Sequence, residues 1–206
     1  MLLKIHPENP GLKQIQTVVE CLRNNGTIIY PTDTVYGLGC DIFRPKAIER
    51  IAFIKGIKME KARFSFICHN LSNLSDYCRP ISNQAFKMMK RLLPGPFTFI
   101  LLASNKVPDP VLGKKKTVGI RIPDNSIARQ IVFELGHPII STSVHDEDGV
   151  IEYTTDPELI YEKYKNTVDI IVDGGYGDNE ASTVIDYTGD EPIIIRQGKG
   201  KIEDYY

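Results

Sequence analysis

Small hydroxyl side chains and isolated arginines stand at the ends of apolar runs, where they could grip an anion. After TIIY (27–30) the chain reads Pro31-Thr32-Asp33-Thr34, then Tyr36-Gly37-Leu38-Gly39. After Pro138-Ile139-Ile140 comes Ser141-Thr142-Ser143, Thr117 opens the stretch TVGIRIP that holds Arg121, Ser182-Thr183 opens another apolar run, and Arg196 closes PIIIR. In open sheets, ligands gather at strand ends, where loops supply polar groups. Hydroxyls and backbone N–H groups suit phosphate oxygens, and a guanidinium matches a carboxylate or phosphate through two parallel bonds. Gly37 and Gly39 would let the backbone approach a ligand closely. Taken singly, each feature has an ordinary structural explanation. Pro-Thr-Asp-Thr closes a turn through its own side chains, alternating serines face solvent, and Arg121 completes a surface ion pair. Taken together they point to a site for a phosphorylated or carboxylated small molecule.

Familiar templates are absent. There is no G-x-x-x-x-G-K-[ST], and Gly37-x-Gly39 is followed by Ile42 where a dinucleotide fingerprint needs glycine. Neither G-x-S-x-G nor H-E-x-x-H occurs. The histidines (His6, His69, His137, His145) and cysteines (Cys21, Cys40, Cys68, Cys78) show no zinc spacing, so no metal held by protein side chains is expected.

The elements that must position these residues alternate between helix and strand. Leu12, Ile15, Val18, Val19 and Leu22 recur at helical spacing over 12–22, with Asn9-Pro10 suited to the start and Gly26 to the end. Pro45 opens a helix with Ile48, Ile51, Ala52 and Ile54 on one face, and further helices are predicted at 85–93, 126–135 and 157–164. Apolar runs at 27–30, 64–68, 98–103, 117–122, 138–143, 168–172, 182–186 and 192–196 read as strands. Several are apolar throughout, as in a sheet covered on both faces. The expectation is one α/β domain spanning 1–206, an open mixed sheet flanked by helices.

Composition agrees. The 206 residues are 42% apolar and 25% charged, which excludes a disordered or fibrous chain. The cysteine usage fits reduced thiols of a cytoplasmic protein, and no apolar stretch approaches the roughly 20 residues of a membrane span. Net charge is -1 but unevenly spread: residues 131–206 hold 5 Lys/Arg against 17 Asp/Glu, and residues 1–130 hold 20 against 9. The basic residues cluster at Lys55, Lys58, Lys61 and Arg63, at Lys87, Lys90 and Arg91, and at Lys114, Lys115 and Lys116. Such a region attracts the phosphate of a nucleotide or nucleic acid, unless the two halves interleave in the fold and their charges pair.

The run TIIYPTDTVYGLGCD, then FIK (53–55), LLPGPFTFIL (92–101), TVGIRIP (117–123), PIISTS (138–143), ASTVID (181–186) and PIIIRQG (192–198), in this order over nearly the whole chain, resembles the YrdC-like family. That resemblance implies a twisted open α/β sheet with a concave basic face, and no further C-terminal domain of the kind longer members carry. It also implies an activity, threonylcarbamoyl-AMP synthesis from L-threonine, bicarbonate and ATP, with Mg2+ accompanying the nucleotide, in service of tRNA modification. Roles follow by position. Thr32, Ser141 and Ser182 would contact threonine, and Arg121 its carboxylate. Lys55 would meet the ATP phosphates, and Thr117, Ser143 and Arg196 the nucleotide. Lys55 and Arg121 would carry the catalysis, with no covalent protein nucleophile.

Departures from the family pattern bear on activity. Family synthases carry Lys-x-Arg where this chain has Lys55-Gly56-Ile57, and Ser-x-Asn where it has Ser143-Val144-His145. A family histidine that touches threonine falls at Cys68, next to His69. In these respects the chain resembles the YciO branch. Two alternatives follow: a module binding double-stranded RNA or tRNA without synthase activity, and an enzyme acting on another carbamoyl or adenylate compound, perhaps by hydrolysis.

Overall fold

The computed structural model describes residues 1–72, 74–108, 116–144 and 155–205. Lys114, Lys115 and His145 lie outside the described residues. In chain order the elements are β1 (Leu2–Lys4), α1 (Leu12–Arg23), β2 (Thr27–Tyr30), β3 (Gly37–Asp41), α2 (Pro45–Ile54), β4 (Ser65–Ile67), α3 (Leu74–Tyr77), α4 (Asn83–Leu92), β5 (Phe97–Leu102), β6 (Thr117–Arg121), α5 (Ser126–Leu135), β7 (Ile139–Ser143), α6 (Pro157–Tyr164), β8 (Ile170–Asp173), β9 (Thr183–Asp186) and β10 (Ile193–Arg196). The strands form one mixed sheet in the order β1-β8-β2-β3-β7-β4-β6-β5-β9-β10.

The two faces of the sheet are built differently. One carries Leu38, Cys40, Phe66, Phe99, Leu101, Val118, Ile120 and Ile140, which pack with the buried sides of α2 and α4. On the other face, α1 sets Ile15, Val18, Val19 and Leu22 and α5 sets Ile127, Ile131, Val132 and Leu135 against Ile28, Tyr30, Ile67, Ile139, Ile170 and Val172. The helical period supplies both stripes. Asn125 caps α5 by accepting from Ala128 N at 3.0 Å, and Gly136, at φ +87°, ends it in the left-handed conformation that glycine adopts without a Cβ clash.

Along that second face the register places small residues side by side. Gly39 pairs Ser141, Ser141 pairs Ser65, Ser65 pairs Gly119 and Gly119 pairs Ile100. Side chains this short leave a hollow where the opposite face has isoleucine and phenylalanine.

Four features differ from the sequence reading. α1 begins after Gly11 rather than at Asn9-Pro10. β1 is a three-residue strand held by its parallel pairing with β8, too short to show a period. β3, Gly-Leu-Gly-Cys-Asp, is not among the expected strands, its glycines reading instead as a close approach to a ligand, but it is a fully buried strand between β2 and β7. Its glycines are poor strand formers in isolation, and ladder bonds on both sides override that. β10 is where expected, yet Ile193, Ile194 and Ile195 are all exposed. It is an edge strand, so its apolar run does not mean cover on both faces.

Between the two halves of opposite charge, Arg50 bridges Asp169 at 2.8 Å. No helix among the described residues is long and apolar enough to cross a membrane.

Candidate functional site

The hollow opens into a cavity of about 910 Å3. Six of the eight residues expected at the site line it: Thr117, Arg121, Ser141, Ser143, Ser182 and Arg196. Alternation brings them to one face. Thr117, Gly119 and Arg121 project from β6, Ser141 and Ser143 from β7, and Ser65 from β4 between those strands. Arg196 on β10 stands opposite Val184, which in turn pairs Thr98 on β5.

Arg121 is 8% exposed and already engaged. Its Nη2 donates to Asp33 Oδ1 at 2.6 Å, Thr34 Oγ1 at 2.7 Å and Thr32 Oγ1 at 3.1 Å. The Pro-Thr-Asp-Thr loop is therefore a cradle for this guanidinium. Arg121 Nε and Asp33 Oδ2 are buried without partners, a costly pair of orphans in a dry setting. Lys199 closes the loop from outside, donating to Asp33 O at 2.8 Å and pairing with Asp178 at 2.7 Å.

Thr32 does not line the main cavity. Its hydroxyl donates to Val35 O at 2.8 Å and accepts from Thr34 N at 3.0 Å and from Arg121. One donor and two acceptors exhaust a hydroxyl, so Thr32 orients Arg121, and Thr34, which sequence reasoning missed, faces the cavity in its place. An arginine inside an apolar strand signals that some buried anion must meet it, but the sequence does not single out Asp33 as that anion.

Tyr30 lies fully buried with its hydroxyl donating to Ser141 Oγ at 2.7 Å. Burial pushes its pKa up to about 12, against the pull of the Ser141 bond and the Arg121 charge. The Tyr30 ring explains the two glycines of β3. A Cβ on Gly37 would stand 2.9 Å from the ring's Cζ, and one on Gly39 would stand 2.7 Å from Ile140 O and 3.1 Å from the ring. The room at these glycines is thus taken up by Tyr30, although Gly37 also reaches the cavity wall.

Ser182 exchanges a hydrogen bond with Thr98 at 2.9 Å. Arg196 donates to Ser182 O from Nε at 3.1 Å and from Nη2 at 2.7 Å. Burial first, and then the positive charge of Arg121, lower the Arg196 pKa. Two guanidiniums that repel each other across a cavity form a setting in which an anion is favoured. Lys55, at the end of α2, is not on the cavity wall, but its Nζ donates to Ser143 O at 3.2 Å and so sits behind the Ser143 end.

Cys68 is buried, and His69 is held by Arg129 O at 3.1 Å and packs on Phe133, so neither lines the cavity. All four cysteines are free thiols. Burial pushes Cys21 and Cys78 up to about 11 and Cys68 to about 12, and raises Cys40 too, which makes them poor nucleophiles. Among the described residues no group of three His, Cys, Asp or Glu could hold a metal ion.

Comparison with known proteins matches this architecture. A family model covering Sua5, YciO and YrdC, described as "Telomere recombination", matches residues 20–198. Escherichia coli (strain K12) YciO is 41% identical over 203 residues, 98% of this chain and 97% of its own. The crystal structure of E. coli YciO superposes with a TM-score of 0.91 at 40% identity, covering 100% of this chain and 99% of that one. A threonylcarbamoyl-AMP synthase from Coxiella burnetii is 31% identical over 173 residues, 84% of this chain and 91% of its own. The crystal structure of P. abyssi Sua5 complexed with L-threonine superposes with a TM-score of 0.87 at 26% identity, covering 99% of this chain and 59% of that one. With a family model matching most of its length and a 41% identical relative matching nearly all of it, the chain belongs to the Sua5/YciO/YrdC family.

Proposed function

We propose that this protein condenses L-threonine, bicarbonate and ATP to L-threonylcarbamoyl-AMP and pyrophosphate, the step that feeds threonylcarbamoylation of tRNA. The observation that carries the reading is one cavity with two guanidiniums on its wall, the buried Arg121 and the more exposed Arg196, over a floor of serine, threonine and glycine. Such a cavity suits a carboxylate at one end and a nucleotide phosphate at the other.

The threonine carboxylate sits at Arg121, with the Ser141 and Ser182 hydroxyls beside the amino acid. Thr117, Ser143 and Arg196 hold the nucleotide, with Lys55 behind Ser143. The threonine amine attacks the bicarbonate carbon, and water is lost as the carbamate forms. A carbamate oxygen then attacks the α-phosphorus, the bond to the bridging oxygen breaks, and pyrophosphate leaves. The side chains work by positioning and by matching charge, the terms that dominate phosphoryl transfer. Mg2+ would come with the triphosphate. Pyrophosphate release that requires both L-threonine and bicarbonate supports the reading; release that needs neither contradicts it.

A second reading rests on Ile57. It is 37% exposed and absent from the cavity wall, so the guanidinium that family synthases carry there is missing. The same pocket would then act on another carbamoyl or adenylate compound.

A further inference from the structure

A third arginine lines the cavity. Arg63 precedes β4 and is solvent-exposed. Among the described residues, no carboxylate or carbonyl takes its guanidinium. Ser65, two residues on, faces Gly119 on one side and Ser141 on the other, and Ile67 faces Arg121 and Ile139. Continued two residues before the strand, that register would set Arg63 level with Thr117 and Ser143, and all three line the cavity.

The end of the cavity away from Arg121 is thus ringed by Thr117, Ser143 and Arg63, with the Lys55 ammonium behind Ser143. Glu60 is the one carboxylate among the described lining residues. Arg121 already spends donors on Asp33, and Arg196 is tied to the Ser182 carbonyl. Arg63 is the guanidinium with its donors unspent. We infer that Arg63 binds the terminal phosphates of a nucleoside triphosphate and makes this site prefer triphosphate over monophosphate. This rests on the nucleotide reading above and supplies, from a different position, the guanidinium that Ile57 does not.

The test is calorimetric titration of ATP, AMP and inorganic pyrophosphate into the wild-type protein and into Arg63→Ala, Arg63→Lys and Lys87→Ala. Lys87, on α4 and away from the cavity wall, removes the same charge elsewhere. A hydrogen-bonded guanidinium–phosphate contact is worth roughly tenfold to a hundredfold in affinity. Arg63→Ala should weaken ATP and pyrophosphate by that factor and leave AMP and the thermal midpoint unchanged. Arg63→Lys should recover part of the loss, since a point charge replaces a fork, and Lys87→Ala should bind as wild type does. If the wild type prefers ATP and Arg63→Ala keeps that preference, Arg63 is not the phosphate ligand and the nucleotide reading stands. An equal loss in Arg63→Ala and Lys87→Ala would mean a diffuse field, which also overturns the assignment. If the wild type binds neither ATP nor AMP, the nucleotide reading falls and Arg63 with it.

Discussion

Replacing Asp33 with asparagine should pull stability and substrate affinity in opposite directions. Asp33 Oδ1 lies 2.6 Å from Arg121 Nη2, and the two side chains are only 11% and 10% exposed. Removing one partner of a buried ion pair typically costs about 3–5 kcal/mol. Here the Thr32 and Thr34 hydroxyls still accept from Arg121, and the new amide oxygen can too. The expected cost is therefore about 2–3 kcal/mol, a fall in Tm of roughly 5–10 °C for a chain this size. The same change removes a negative charge about 6–7 Å from any carboxylate held on the far side of the guanidinium. At an effective dielectric of ~20 that repulsion is about 2 kcal/mol, and solvent at the cavity mouth reduces it, so threonine should bind about tenfold more tightly. Urea unfolding and calorimetric titration read the two effects separately. Unchanged stability would refute Asp33 as the partner that permits Arg121 to be buried. Lost stability with unchanged threonine affinity would refute Arg121 as the carboxylate anchor. Arg121→Ala is a weaker probe, because it strands Asp33, whose Oδ2 already lacks a partner.

Other consequences are as direct. Gly39→Ala puts a methyl 2.7 Å from Ile140 O and should cost about 1–3 kcal/mol in urea unfolding, as overpacking does. Ser182→Ala removes the bonds to Thr98 and Arg196 Nη2; it should cost about 1 kcal/mol of stability and raise the KM for threonine in the pyrophosphate assay. Cys21 and Cys78 (from 9.0 to about 11), Cys68 (from 9.0 to about 12), and Tyr30 and Tyr77 (from 10.0 to about 12) all titrate higher folded than unfolded. Between about pH 9 and 12 the unfolded chain therefore binds fewer protons, so stability is full below pH 9 and declines above it. Tyr30→Phe should lessen that decline above pH 10, and stability that is flat to pH 11 would contradict the burial of these groups.

The helices were legible because burial stamped a 3.6-residue period on them: Ile15, Val18, Val19 and Leu22 in α1 and Ile127, Ile131 and Leu135 in α5 are the residues the core takes up. β3 was not, because its glycines make sense only beside the Tyr30 ring, and that ring reaches across to Ser141, 111 residues later. The serines and arginines of the cavity could be read from their places at strand ends. Asp33 could not be told from an ordinary turn residue, since its partner Arg121 is 88 residues away. Thr32 and Thr34 look alike in sequence, and only the closure of the loop on Arg121 saturates one and turns the other to the cavity.

The central claim is that the two guanidiniums and the hydroxyl floor serve one condensation. It is tested most directly by incubating the protein with ATP, L-threonine and 13C-bicarbonate and analysing the products by mass spectrometry. The account predicts threonylcarbamoyl-AMP carrying one 13C, with an equal amount of pyrophosphate. Bound threonine and ATP with no labelled adenylate would contradict it and assign the pocket to another reaction.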